Sequence, residues 1–230
     1  MKNILIIGAS SGIGAKITDL LSENVNIYGT YHKNERENKG SVKYHKLNIE
    51  DEIPDMDFLP DTLDGLIYCP GSINLKPFST IKPDDFVKDY NLQVIGAIKI
   101  IQKVFPLLKK SKSASIILFS TVAVQNGFSN HAQISASKGA LEGLTRALSA
   151  EFAPGIRVNC IAPGLIDTPL TASLLNTDEK KSQYAKKHPM QKIGSTADIA
   201  HMAAFLLDEK SGWITGQIFH VDGGIDAIKM

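Results

Sequence analysis

Six short apolar runs are spaced along the chain, with helical patterns filling the intervals: "NILIIG", "VNIYGTY", "LDGLIYC", "ASIILFS", "IRVNCIAP" and "GQIFHVDGG". A run that is apolar on both faces suits a parallel strand covered on both sides. Between the runs, "GAKITDLLSE" places Ile17, Leu20 and Leu21 on one helical face, and "FVKDYNLQVIGAIKIIQKVFPLLKK" is long enough for four or more turns. A third helical stretch keeps Ile134, Leu141, Leu144, Leu148 and Phe152 in register, and "TADIAHMAAFLLDE" reads as a fourth, with Thr196 as its N-cap. Strand and helix in alternation imply right-handed crossovers, hence an α/β fold with a doubly wound parallel sheet.

No repeat or linker divides residues 1–230, so a single domain is expected. Residues 165–194 are irregular and lysine-rich, with a short helical pattern around Ala172–Leu175. Ligands bind beyond the strand C-termini in such sheets, which marks this excursion as a lid. The net charge of +1 gives no basis for nucleic acid or a membrane surface as partner. No apolar run is read as reaching transmembrane length. Cys69 and Cys160 stand alone, and "MKNILIIG" enters a strand at once; a reduced, cytoplasmic protein without a signal peptide is expected. The six histidines show no metal-binding spacing, so no metal is expected.

"GASSGIG" joins the first strand to the first helix. Gly8 permits a tight turn, Gly12 a close backbone approach to a pyrophosphate, and Gly14 close helix packing; the helix N-terminus attracts the anion. Together with "STVA", "SASKGAL", "NCIAPGLIDTPL" and "ITGQIFHVDGG", this loop resembles the short-chain dehydrogenase/reductase family, in particular its 3-oxoacyl-acyl-carrier-protein reductases. The similarity runs in order along nearly the whole chain and implies a Rossmann-type fold. Its main shortfall lies between Asn48 and Leu63, where the helix expected before the fourth strand is abbreviated.

The resemblance implies a nicotinamide dinucleotide held by Gly8, Ser10, Ser11, Gly12, Ile13, Gly14, Asn48, Gly71, Lys138, Pro163, Gly164, Ile166 and Thr168. A carboxylate ending the second strand would favour NAD. Thr30 and Tyr31 supply none, and His32, Lys33 and Arg36 follow, so NADP(H) is the expected cofactor, with His32 and Lys33 at the 2′-phosphate. Asn48 falls where the family has an aspartate, and Cys69 and Pro70 replace an Asn and an Ala.

The family moves a hydride between nicotinamide and a carbonyl carbon. A tyrosine gives the proton, a lysine one turn on lowers its pKa, a serine steadies the oxygen, and an asparagine holds a water. Lys138 is present, and Thr121 stands in the serine's place. The tyrosine position is Ile134, which has no proton to give, and the asparagine position falls on Gln93. Asn91 lies about 200° round the helix from it and should not substitute. Losing a positioned general acid costs about 10²–10⁴-fold. His131, Tyr184 and His188 are the other candidate donors; Ser135 points away.

Three readings follow. One is a ketone or 3-oxoacyl reductase with an atypical site and weak or unusual catalysis on a small-molecule ketone or acyl substrate. Another is an inactive subunit that partners an active paralogue in a homo- or hetero-oligomer built through the two long helices. The third is a dinucleotide-responsive binding protein. Lys180, Lys181, Lys186, Lys187 and Lys192 suit either an acidic carrier or plain solvation.

Overall fold

In a computed structural model, which describes residues 1–52 and 56–229, seven parallel strands form one sheet in the order β3-β2-β1-β4-β5-β6-β7. The strands are β1 (Lys2–Ile7), β2 (Val25–Tyr31), β3 (Val42–Lys46), β4 (Gly65–Tyr68), β5 (Ala114–Phe119), β6 (Ile156–Pro163) and β7 (Ile218–Val221). The helices are α1 (Gly12–Leu21), α2 (Pro83–Tyr90), α3 (Gly96–Leu108), α4 (Ala123–Asn126), α5 (Ala132–Phe152), α6 (Asp178–Ala185) and α7 (Thr196–Leu207). The order reverses between β1 and β4, and this switch point opens the crevice in which such sheets bind ligands.

Alternation along β1 feeds two cores. Leu5 and Ile7 join Ile100, Val104 and Leu141 of α3 and α5 on one face. Ile4 and Ile6 join Ile17 of α1 and Ile199, Ala203 and Leu206 of α7 on the other. Burial on both faces is why β1, β5 and β6 read as continuous apolar runs.

Several expectations are corrected. There are seven strands rather than six: β3 lies at the sheet edge, where Val42 is its one fully buried residue, and so carries little apolar signal. The N-cap of α7 is Ser195, not Thr196; Ser195 and Asp198 form a reciprocal capping box. The helix of the excursion is α6, not Ala172–Leu175, which lies in turns. Thr177 caps α6, accepting from the Lys180 N–H. Ile166 pairs with Gly194, so the excursion leaves and returns at one point. Between Asn48 and Leu63 no helix appears among the described residues, and residues 53–55 of that stretch lie outside them.

Residues Pro83–Leu108 form one 26-residue helical run that holds an 18-residue window of mean hydropathy 1.2, long and apolar enough to cross a membrane, which corrects the length expectation. Its apolar face instead packs on the sheet through Val94, Ala97, Ile100, Ile101 and Val104. Within it, Asn91–Ile95 widen to a π turn. The cause is Tyr68 at the end of β4, whose hydroxyl donates to the Leu92 carbonyl at 2.6 Å and takes an acceptor from the ladder. Gly96 makes room: a Cβ there would collide with that hydroxyl and with Ile49.

Candidate active site

The turn after β1 adopts left-handed conformations at Gly8 (φ 77°) and Gly12 (φ 52°), as only glycine does without strain. A Cβ on Gly14 would strike the Gly8 carbonyl, so α1 approaches the turn only because residue 14 is glycine. Ser11 caps α1 without a side-chain hydrogen bond, leaving first-turn N–H groups for an anion.

A cleft of about 550 Å³ opens over this turn. Gly8, Ser10, Ser11, Gly12, Ile13, Gly14, His32, Lys33, Asn48, Gly71 and Thr168 all line it. Thr30 Oγ1 accepts from the Gly8 N–H at 3.2 Å, which ties the end of β2 to the turn. Arg36 departs from expectation: its guanidinium turns to Asp19 at 3.2 Å and is absent from the lining. Exposed Leu170, which the sequence reading missed, lies across the cleft.

A smaller cavity of about 150 Å³ continues inward through shared walls at Ile13, Gly71 and Thr168. It collects Gln93, Thr121, Ile134 and Lys138 with Pro163, Gly164 and Ile166. Beyond it a third cavity, about 520 Å³, shares Ile73, Thr121, Ile134, Gly164 and Thr171 and extends to Phe128, Leu174 and Ile225. His131, Tyr184, Lys187 and His188 stand on its wall.

Ile134 is 7% exposed and Lys138 also 7%; one turn apart on α5, they border the same space. Thr121 Oγ1 accepts from the Ala123 N–H at 3.3 Å, leaving its own hydrogen free to donate. Neighbouring Ser120 is committed to Glu142 at 2.7 Å. Gln93 is fully buried while Asn91 is exposed, as the register predicts. Ser135 donates to the Ala123 carbonyl, away from the cavity.

Asp89 is a buried residue the sequence reading missed, although it lies one turn before Gln93 on the same face. Its carboxylate accepts from Gln93 Nε2 at 2.8 Å, from Ser137 at 2.6 Å and from Ser72. Burial lowers the Lys138 pKa to about 8, against the opposing influence of Cys160, Asp89 and Cys69. Burial pushes both thiols up to about 12. Both cysteines are free.

The lysines of the excursion are partly taken up locally: Lys181 pairs with Asp167 at 2.9 Å, and Lys187 lies over the Tyr184 ring. His220, Asp222 and Asp226 cluster within 4.8 Å, but their carboxylate oxygens are engaged by Gly224, Asp226, Asn126 and His220.

Comparison with known proteins agrees with this architecture. The family model described as Enoyl-(Acyl carrier protein) reductase matches residues 8–226. The 3-oxoacyl-[acyl-carrier-protein] reductase FabG of Buchnera aphidicola is 31% identical over 239 aligned positions, covering 97% of each chain. A short-chain dehydrogenase family protein from Francisella tularensis superposes with a TM-score of 0.89 at 26% identity, covering 99% of this chain and 100% of that one. ElxO with NADP bound superposes with a TM-score of 0.84 at 26% identity, covering 97% and 98%. With its glycine turn at the switch point of a seven-stranded parallel sheet, this chain belongs to the short-chain dehydrogenase/reductase family of oxidoreductases.

Proposed function

We propose that the protein is an NADP(H)-dependent reductase of the ketone or 3-oxoacyl type, slowed by the loss of the tyrosine acid. The observation that carries this reading is the succession of three cavities that share wall residues, from the glycine turn past Thr121 and Lys138 to a largely apolar chamber. The residues fit a dinucleotide. The left-handed turn and the uncapped α1 N-terminus suit the pyrophosphate, and Asn48 suits the adenine. His32 and Lys33 suit a 2′-phosphate, and no acid ends β2. Lys138 suits the nicotinamide ribose, while Pro163, Gly164, Ile166 and Thr168 border the nicotinamide end. When bound, the reduced dinucleotide supplies a hydride.

Thr121 donates a hydrogen bond to the substrate oxygen, Ile134 excludes water, and the apolar chamber takes the acyl or alkyl part. FabG is named for 3-oxoacyl reduction and ElxO is described with NADP, which supports the substrate class and the cofactor. Residues 165–194 act as the lid, because their two ends meet at Ile166 and Gly194 and Leu170 overlies the cleft.

Calorimetric titration with NADPH and NADH, followed by turnover on small ketones and β-keto esters, tests this. Absence of dinucleotide binding would end the reading. Ile134, buried where the acid is expected, also supports a second reading: a subunit that holds dinucleotide and stabilises an active paralogue through its long helices. Binding without turnover, together with capture of such a paralogue, would favour it.

A further inference from the structure

We propose that Lys138 is itself the proton donor to the substrate oxygen, aimed by the Gln93 carboxamide oxygen. The inference rests on the reductase reading. An isoleucine side chain stops several ångströms short of where a phenol oxygen would reach, so Ile134 leaves space beside Thr121 that Lys138 also borders.

Three observations converge there. Gln93 Oε1 is buried without a hydrogen-bond partner. Its orientation is fixed, because Nε2 must face the Asp89 carboxylate; a flipped amide would set oxygen against oxygen. A Cβ placed on Gly71 would lie 3.5 Å from Gln93 Oε1 and 3.8 Å from Lys138 Nζ, so an orphaned acceptor and an ammonium border the same small gap.

The ammonium is also left free to give its proton. Asp89 already accepts from Ser72, Ser137 and Gln93, and no salt bridge to Lys138 is seen among the described residues. The groups facing it from other elements are Asp89 of α2, Cys69 beyond β4 and Cys160 of β6. Burial brings it near pH 8, where it can both hold and release a proton.

The alternatives are placed less well. His131 caps α5, and its Nδ1 faces the Ser129 carbonyl at 2.7 Å. His188 directs Nδ1 to the Tyr184 carbonyl at 2.9 Å, which leaves Nε2 as an acceptor in the neutral ring.

In the step itself, the carbonyl carbon accepts a hydride from the dihydronicotinamide, the C=O π pair moves to oxygen, and that oxygen takes H⁺ from Nζ. The N–H bonding pair stays on nitrogen as a neutral amine. The products are alcohol, oxidised nicotinamide and Lys138 amine, which regains its proton from solvent.

The test reads kcat at saturating NADPH on a small β-keto ester across pH 6–10, alongside direct NMR titration of the Lys138 ammonium in selectively labelled protein. Wild-type kcat should fall as pH rises through the region of 8, and the NMR titration should fall in the same region. Lys138→Arg retains a cation that does not release its proton, and should lose at least about 10²-fold in kcat while dinucleotide binding remains measurable. Gln93→Leu removes the aiming acceptor and should move the Lys138 titration further down with a lesser loss of kcat. Turnover that persists in Lys138→Arg, a kcat flat with pH, or a Lys138 titration above about 10 overturns the proposal. An inert wild type beside an active Ile134→Tyr overturns it and spares the reductase reading. Inertness of both overturns the two together.

Discussion

Ile134 lies one helical turn before Lys138 on α5, and the two border a cavity that Thr121 enters from the end of β5. Ile134 thus sets an apolar side chain beside the buried ammonium, with Thr121 and Gln93 on the walls of the same cavity.

Replacing Ile134 by tyrosine restores a donor on the Lys138 face of the helix. Ile134→Tyr should raise NADPH-dependent reduction of a β-keto ester by about 10²–10⁴-fold. Lys138→Ala in that background should remove the gain. Brisk wild-type turnover, matching that of Ile134→Tyr, would refute the prediction.

Cofactor choice should follow the end of β2. Lys33 is exposed on the wall of the cleft, and Thr30 and Tyr31 carry no charge to repel a 2′-phosphate. NADPH should bind more tightly than NADH, and Lys33→Glu should erode the difference. Equal affinities in the wild type, measured by fluorescence titration, would sink the assignment.

Burial of Lys138 should cost stability in a pH-dependent way. Its folded-state pKa is lowered to about 8 from 10.5, so between those values the unfolded chain binds more protons and stability rises with pH. The penalty is full below pH 8 and fades as pH approaches 10.5. Lys138→Met should therefore stabilise the ligand-free protein at pH 7 by up to about 3 kcal/mol, a gain of several degrees in melting temperature. The gain should shrink between pH 8 and 10. A gain that grows with pH would show the sign to be wrong.

The π turn should depend on the space at Gly96. Gly96→Ala drives a Cβ into the Tyr68 hydroxyl and Ile49, and should destabilise by about 1–3 kcal/mol. Tyr68→Phe loses only the hydrogen bond to Leu92 and should cost about 0.5–1.5 kcal/mol. Urea denaturation of both variants checks the order. A milder effect for Gly96→Ala than for Tyr68→Phe would contradict it.

The sequence by itself determined whatever a short period or a fixed spacing encodes. Double-faced burial wrote β1, β5 and β6 as apolar runs, the positive φ at Gly8 and Gly12 required glycine, and the one-turn spacing put Ile134 and Lys138 on one face. The edge strand β3 escaped because it buries little, and the cap of α7 was missed by one residue. Only the tertiary structure decided the polar heart of the site. Asp89 meets Ser72 and Ser137 across 17 and 48 positions of sequence, and Tyr68 reaches Leu92 across 24. No local pattern encodes such meetings, because they exist only once β4, α2 and α5 have packed together. That packing fixes which way the Gln93 amide faces and leaves its oxygen without a hydrogen-bond partner.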